Sequence, residues 1–162
     1  MSKNIAIYKA TLDNEELNQI RSVLQAKDDL SKVLEFEEKM VKYIGAKYAI
    51  ATATSTAALH LALSSMRLKR GDKVLMSVNS FVNLPETVRH FDAEPIFVDI
   101  NLEDMNLDIE KFEETIIANK SKKLRAAIIT FIGGLAPNLD KIYEIAKKYN
   151  ILIIEDCRAA LG

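Results

Sequence analysis

Asp156 is an acid at a position that suggests a role in ligand binding. It directly follows the run Ile151–Glu155, which is predicted to be a buried strand. A carboxylate at the end of a buried strand costs free energy unless it has a partner. It could bind a metal ion or a ribose, or it could be the counter-ion of a protonated ring nitrogen. A capping role, or an ion pair with Arg158, explains it about equally well from the residues alone.

Hydroxyl and aromatic side chains follow two other predicted strands. Ser55 and Thr56 come after the run Tyr48–Ala53 and lead into a helix, where backbone N–H groups and hydroxyls could bind an anion. Simple capping of the helix explains them as well. Phe81 follows the run Lys73–Ser77 and could stack on a flat ligand or be an ordinary core residue.

Motifs that would define other kinds of site are missing from the sequence. There is no P-loop, and Gly133-Gly134 lacks the third glycine of a Rossmann-like nucleotide-binding module. No set of His, Cys, Asp and Glu residues has metal-ligand spacing, so no metal site is expected. Cys157 is the single cysteine, which excludes an internal disulfide, and we expect a small buried residue there rather than a nucleophile.

Short apolar segments that alternate with helical patterns must position these side chains. Helices are predicted at Thr56–Leu68 and Ser80–Phe91, and after the capping residues Asp108 and Asn138 or Asp140. This alternation predicts an α/β fold with three layers, α/β/α, around a mainly parallel sheet that binds ligands at the carboxyl ends of its strands. The predicted strands are Tyr48–Ala53, Lys73–Ser77, Pro95–Ile100, Leu124–Ile132 and Ile151–Glu155.

Two helices are predicted before this core. Asp13 and Glu16 have the spacing of a capping box, and apolar residues follow at helical spacing. A second helix is predicted from Ser31, with Gly45 at its end. The sequence therefore predicts an N-terminal helical segment over 1–46 and an alternating strand–helix core over 47–162.

Charge and hydropathy narrow the choice of partners. The chain is 49% hydrophobic and 28% charged, with a net charge of -1, which favours neither nucleic acid nor an anionic membrane as a partner. The uncharged stretch from Tyr48 to Met66 contains hydroxyl residues and His60, so it is not expected to span a membrane. The start of the sequence lacks the pattern of a signal peptide, and we expect a cytoplasmic protein.

Five segments occur in the order and spacing of a known family: Lys32–Glu38, Ala57–Leu63, Gly71–Val74, Ala93–Asp99 and Ile153–Asp156. Through them the chain resembles the DegT/DnrJ/StrS family of sugar aminotransferases, which are pyridoxal-phosphate (PLP) enzymes with the aspartate aminotransferase fold. The resemblance extends from Ile7 to Gly162. It implies the N-terminal part of the large domain of a fold-type I PLP enzyme, with the rest of that domain and the small domain absent from this sequence.

The resemblance also implies an activity and a site. Such enzymes transfer an amino group from glutamate to a nucleotide-linked keto sugar, in the biosynthesis of surface polysaccharides or glycans. By position, Asp156 would pair with the pyridine nitrogen of PLP and Phe81 would stack on its ring. Ser55 and Thr56 would hold its phosphate.

The departures from the family pattern lead to an alternative. The lysine that forms the Schiff base lies beyond Gly162 in the family, so no catalytic residue is assigned and these 162 residues are expected to be inactive alone. Ala159 replaces the usual Gln or His, and Phe131 and Gly133 replace a His and an aromatic residue. The alternative is a truncated chain or pseudoenzyme that acts through a protein partner. Uncovered apolar surface is expected to cause self-association, for example as a homodimer.

Overall fold

The computed structural model describes residues 10–26 and 31–161. The described chain forms two compact units, one that ends at Ala51 and one that begins at Thr52. Residues 1–9, 27–30 and 162 lie outside the described residues. They include Ile7 and Gly162, the two ends of the predicted family resemblance.

The first unit contains the two expected helices, α1 (Asn14–Gln25) and α2 (Ser31–Ile44). The predicted capping box is confirmed: Glu15 N–H donates to the Asp13 carboxylate, and Asp13 N–H donates to the Glu16 carboxylate, both over 2.7 Å. After α2, Gly45 adopts a φ of +72°, as the predicted C-terminal cap requires. No described residue of either helix is buried, so these helices depend on local signals rather than on a core of their own.

The strand predicted at Tyr48–Ala53 is wrong. These residues have no regular structure, and the Tyr48 and Ile50 side chains are 75% and 69% exposed. A strand requires a neighbour for its backbone hydrogen bonds, and no strand in the described part of the chain pairs with this segment. Instead, Ala51 N–H donates to the Glu37 carboxylate over 2.7 Å.

The second unit contains a sheet of four strands rather than five. They are β1 (Lys73–Ser77), β2 (Glu94–Val98), β3 (Leu124–Thr130) and β4 (Leu152–Asp156). The strands lie side by side in the order β2-β1-β3-β4, and every neighbouring pair is parallel. The register places Thr130 opposite Asp156 at the carboxyl end of the sheet.

Helix α3 (Ser55–Ser65) precedes β1, and α4 (Asn83–Arg89), α5 (Ile109–Ala118) and α6 (Leu139–Tyr149) come after β1, β2 and β3. Three of these four helices have a side-chain cap at the start. Thr54, Asp108 and Asn138 each accept a hydrogen bond from a first-turn N–H group, which selects Asn138 over Asp140. Helix α4 is shorter than the predicted 80–91 because Ser77 and Ser80 form a turn after β1.

Both faces of the sheet are covered, as the predicted three-layer fold requires. Val74 and Met76 of β1 pack in one cluster with side chains from α3 and α4, such as Leu63. Leu75, between them, packs in the other cluster with side chains from α5 and α6, such as Phe112. Alternate residues of a strand point to opposite faces, so the two helix pairs lie on opposite sides of the sheet.

Candidate functional site

The strand order identifies the place on the sheet where a ligand is expected. The chain passes from β1 to β2 on one side and then crosses to β3 and β4 on the other. The segments after β1 and β3 therefore diverge and leave a crevice at the carboxyl ends. A cavity of about 260 Å³ lies there, lined by Asn79–Phe81, Thr130–Gly133, Asp156, Arg158 and Ala159.

Asp156 is the last residue of β4 and faces this crevice. Its side chain is 15% exposed, and its Oδ1 lies 3.5 Å from Nε of Arg158. The predicted ion pair with Arg158 is therefore present. Its Oδ2 is buried and has no hydrogen-bond partner among the described residues. Half of this carboxylate is free to accept a hydrogen bond from a ligand.

Phe81 lies in the segment after β1, and the structure brings it to the same crevice. Its side chain is 60% exposed, so it is not a core residue. The guanidinium carbon of Arg158 lies 5.2 Å from the centre of the Phe81 ring, within cation–π distance. One face of the ring is thus in contact with a flat cation.

The start of α3 supplies hydroxyl groups to the same edge of the sheet. The cap is Thr54, whose hydroxyl accepts from Ala57 N–H over 3.1 Å, so Ser55 and Thr56 are not needed as caps. The Ser55 hydroxyl accepts a long hydrogen bond of 3.5 Å from Arg158, and the Thr56 hydroxyl accepts from Asn83 over 3.1 Å. The first N–H groups of a helix have no partner within it, so they add to the anion-binding capacity here.

A second cavity of about 340 Å³ opens next to the first, between α3, α4 and the end of β4. Its lining includes Ser55, Asn83, Asp156 and Arg158 among apolar side chains. Oδ1 of Asn83 is buried without a partner among the described atoms, like Oδ2 of Asp156. The two free acceptors favour a ligand that presents N–H or O–H groups.

Asn83 is a residue that the sequence reasoning missed. It is an amide in the first turn of α4, only two residues after Phe81. A polar residue that closely follows a strand end was the available signal. Nothing in the sequence showed, however, that its amide would reach the start of α3.

The loop after β3 contacts the segment that carries Asp156. Gly134 has a φ of +85°, and a Cβ at this position would lie 2.8 Å from the carbonyl oxygen of Ala159. Only glycine allows this approach without a shift of the backbone. Phe131 N–H also donates to the Asp156 carbonyl oxygen over 3.2 Å. These contacts hold the end of β4 against the crevice.

Cys157 is not activated for nucleophilic chemistry. Partial burial, together with the negative charge of Glu155, raises the pKa of its thiol to about 11. A nucleophilic cysteine needs a lowered pKa, so the structure agrees with a packing role. The Tyr143 hydroxyl donates to the Glu155 carboxylate, and this hydrogen bond is the main reason why the pKa of Tyr143 rises to about 12.

The described residues contain neither a candidate metal site nor a candidate membrane-spanning helix. Residues 10–26 and 31–161 contain no group of three or more His, Cys, Asp or Glu side chains that could hold a metal ion. Within the same residues, each helix is too short or too polar to cross a lipid bilayer.

Solved structures identify the class of protein to which this fold belongs. The chain superposes on GDP-4-keto-6-deoxymannose-3-dehydratase, solved with a trapped PLP–glutamate geminal diamine, with a TM-score of 0.88, 25% identity, and coverage of 98% of this chain and 42% of that chain. It also matches 3-amino-5-hydroxybenzoic acid synthase in fold, with a TM-score of 0.86, 23% identity, and coverage of 94% and 40%. The fold is that of the fold-type I PLP-dependent aminotransferases.

Sequence comparison assigns the chain to one family within this class. A model of the DegT/DnrJ/EryC1/StrS aminotransferase family matches residues 10–162, and the chain belongs to this family. It is 34% identical over 130 residues to GDP-perosamine synthase of Caulobacter vibrioides, covering 80% of this chain and 34% of that protein. It is 33% identical over 158 residues to an uncharacterised protein of Methanocaldococcus jannaschii, with coverage of 96% and 40%. The chain therefore spans less than half the length of these relatives.

Proposed function

We propose that this chain forms the cofactor-binding part of a PLP-dependent aminotransferase that acts on a nucleotide-linked keto sugar. Membership of the family and similarity to a GDP-perosamine synthase support the class of substrate. Glutamate as the amino donor and a role in surface polysaccharide or glycan synthesis are part of the proposal. The observation that carries it is the buried, unpartnered Oδ2 of Asp156 at the carboxyl end of the sheet.

The residues at this end of the sheet fit PLP in their chemistry. A carboxylate oxygen without a donor suits a protonated ring nitrogen, which supplies the missing hydrogen bond and a compensating charge. The exposed ring of Phe81 suits a flat aromatic ligand. Ser55 and Thr56, at the start of the 11-residue helix α3, suit a phosphate because helix N-termini attract anions.

In this mechanism the described residues bind the cofactor and tune its charge. When bound, PLP supplies an electron sink for the electrons released at the carbon that carries the amino group. Asp156 would hold the proton on the ring nitrogen and so keep the ring electron-poor. Phe81 would pack on the ring face and exclude water from it. Ser55, Thr56 and the adjacent N–H groups would fix the phosphate and thereby the orientation of the ring.

We also propose that these 162 residues do not transfer amino groups by themselves. Neither cavity at the carboxyl end of the sheet is lined by a lysine of the described chain. A PLP-dependent aminotransferase needs a lysine amine there to bond the cofactor and to move protons. Incubation of the chain with PLP, glutamate and a nucleotide keto sugar should therefore yield no amino sugar. Measured turnover would contradict this part of the proposal.

Binding of pyridoxamine phosphate tests the proposed cofactor site. This ligand has the ring and the phosphate of PLP but no aldehyde, so it cannot react with surface lysines. We expect saturable binding in equilibrium dialysis, and we expect Asp156→Ala to weaken it at least tenfold because the ring nitrogen loses its counter-ion. The matched control is Asp140→Asn, which changes an exposed acid on α6 and should bind like the parent. Equal binding by the parent and Asp156→Ala would reject the site.

A non-catalytic chain is the second candidate, and one observation favours it. The Asp156 carboxylate already has a cation, Arg158, at 3.5 Å, so the site is partly neutralised without a cofactor. A chain of this kind should show no saturable binding of pyridoxamine phosphate and should act through a protein partner. Binding that depends on Asp156 would count against this candidate, because a chain that acts only through a protein partner needs no cofactor site.

We further propose that the chain self-associates and lies in the cytoplasm. Helices α1 and α2 expose large apolar side chains, including Leu24 at 81% and Phe36 at 54%, and a second copy of the chain is the proposed cover. Sedimentation velocity should show a dimer that dissociates on dilution, and Phe36→Glu should shift it towards monomer. A monomer at every concentration would refute the association. Cell fractionation tests the location.

A further inference from the structure

Arg158 links three of the four residues assigned to the cofactor site. Its Nε lies 3.5 Å from Oδ1 of Asp156, and its guanidinium carbon lies 5.2 Å from the centre of the Phe81 ring. Its Nη1 donates to the Ser55 hydroxyl over 3.5 Å. These partners come from the end of β4, the segment after β1 and the start of α3. One flat cation therefore occupies the space that the three side chains enclose.

We propose that Arg158 is an internal substitute for the cofactor ring and must move aside before the ring binds. This inference rests on the proposed function, because the ligand that displaces Arg158 is the pyridinium ring of a vitamin B6 phosphate. A guanidinium and a protonated pyridine are both flat cations, and both suit a carboxylate and an aromatic face. They compete for Phe81 and Asp156, so Arg158 lowers the affinity of the site for the cofactor.

The geometry shows that Arg158 is held loosely enough to be displaced. Its ion pair and its hydrogen bond are both long, at 3.5 Å, and its side chain is 36% exposed. Exposed cation–π contacts and partly exposed ion pairs are weak interactions. Together, the cation–π contact and the ion pair of Arg158 should lower the affinity for the ligand about fivefold. The guanidinium can move into solvent, and the incoming pyridinium ring then replaces it as the partner of the Asp156 carboxylate, which is only 15% exposed.

The test compares pyridoxamine phosphate binding to the parent chain, Arg158→Ala and Arg158→Lys by isothermal titration calorimetry. We expect Arg158→Ala to bind about fivefold more tightly, because the competing cation is gone. Arg158→Lys keeps the charge but loses the flat stacking surface, so its affinity should lie between the two. Arg89→Ala removes an exposed arginine of α4 and is the control that should leave the affinity unchanged.

A spectroscopic readout follows the arginine itself. The Nε–H signal of Arg158, assigned by its loss in Arg158→Ala, should lose its ring-current shift when pyridoxamine phosphate saturates the parent chain. Unchanged or weaker binding by Arg158→Ala, or an unmoved signal at saturation, would overturn the displacement and leave the proposed function standing. Absence of binding by the parent and all variants would overturn the proposed function and this inference together.

Discussion

Two acids at opposite ends of the same parallel sheet have very different surroundings. Asp72 precedes β1 at the amino end and is 3% exposed. Its Oδ2 lies 3.1 Å from Arg125 Nη1 and accepts from Lys69 N–H over 2.9 Å, while its Oδ1 lies 3.6 Å from Lys123 Nζ. Asp156, at the carboxyl end, has one long ion pair and a buried oxygen with no partner in the described chain.

The difference separates a structural acid from a ligand-binding acid. Both oxygens of Asp72 are satisfied by the protein, so its burial stabilises the fold through partners that are already in place. The open oxygen of Asp156 costs free energy in this chain, and such a cost is typical of a functional position. We therefore expect a large loss of stability when Asp72 is removed and only a small change when Asp156 is removed.

The largest expected effect is the loss of stability when Asp72, at the amino end of the sheet, is removed. Asp72→Ala should lower the free energy of unfolding by about 3 kcal/mol, because it removes the buried acid that pairs with Arg125 and Lys123 and leaves the Lys69 N–H without its acceptor. Urea unfolding followed by circular dichroism measures the change. Glu94→Gln removes a nearby but exposed acid, 3.9 Å from Lys73, and should change stability by less than about 0.5 kcal/mol. A similar loss of stability in both variants would show that Asp72 matters no more to the fold than an exposed acid.

The second effect concerns Cys157 at the carboxyl end, where burial and the nearby charge of Glu155 raise the pKa of the thiol. With a pKa of about 11, the Cys157 thiol should carry roughly a hundredfold less thiolate at pH 8 than an ordinary cysteine. Alkylation by iodoacetamide should be slow at pH 8 and should accelerate as the pH rises towards 11. Glu155→Gln should speed the reaction at pH 8, because it removes a charge that disfavours the thiolate. A parent rate equal to that of a free thiol would contradict this view of the site.

The third effect is the change in stability when Asp156, at the carboxyl end of the sheet, is removed. Asp156→Ala should change the free energy of unfolding by less than about 1 kcal/mol, because an unpaired buried oxygen and a long ion pair contribute little net stability. The same urea experiment measures it beside Asp72→Ala. A loss as large as that of Asp72→Ala would show that Asp156 is a structural acid after all.

The smallest effect is expected at Tyr143, which binds Glu155 next to Asp156. A folded-state pKa of about 12, above the ordinary value near 10, gives a stabilisation that is complete below pH 10 and is lost as the pH approaches 12. In absorbance titration of the five tyrosines, one should ionise last, and Tyr143→Phe should remove that step. Because Tyr143 is 47% exposed, Tyr143→Phe should cost only about 0.5 kcal/mol at neutral pH. Survival of the late step in the variant would assign it to another tyrosine.

Much of the fold could be predicted because the signals are local. The capping box at Asp13 and Glu16 and the cap at Asp108 act within one helical turn, and β1 has its predicted bounds. The prediction is wrong at Tyr48–Ala53, where an apolar run indicates a strand that the structure does not contain. Strand formation depends on a hydrogen-bonded neighbour that is distant in sequence, and apolar composition does not supply it.

The sequence by itself determined that Asp156 lies at the end of a strand and that Phe81, Ser55 and Thr56 lie near a strand end or a helix start. Only the tertiary structure decided that Arg158 lies against Asp156, Phe81 and Ser55, and that Asn83 reaches Thr56. It also decided which acid has all its partners and which has an open oxygen. The physical reason is that hydrogen bonds and ion pairs between distant residues depend on side-chain positions fixed by packing, to within a few tenths of an ångström.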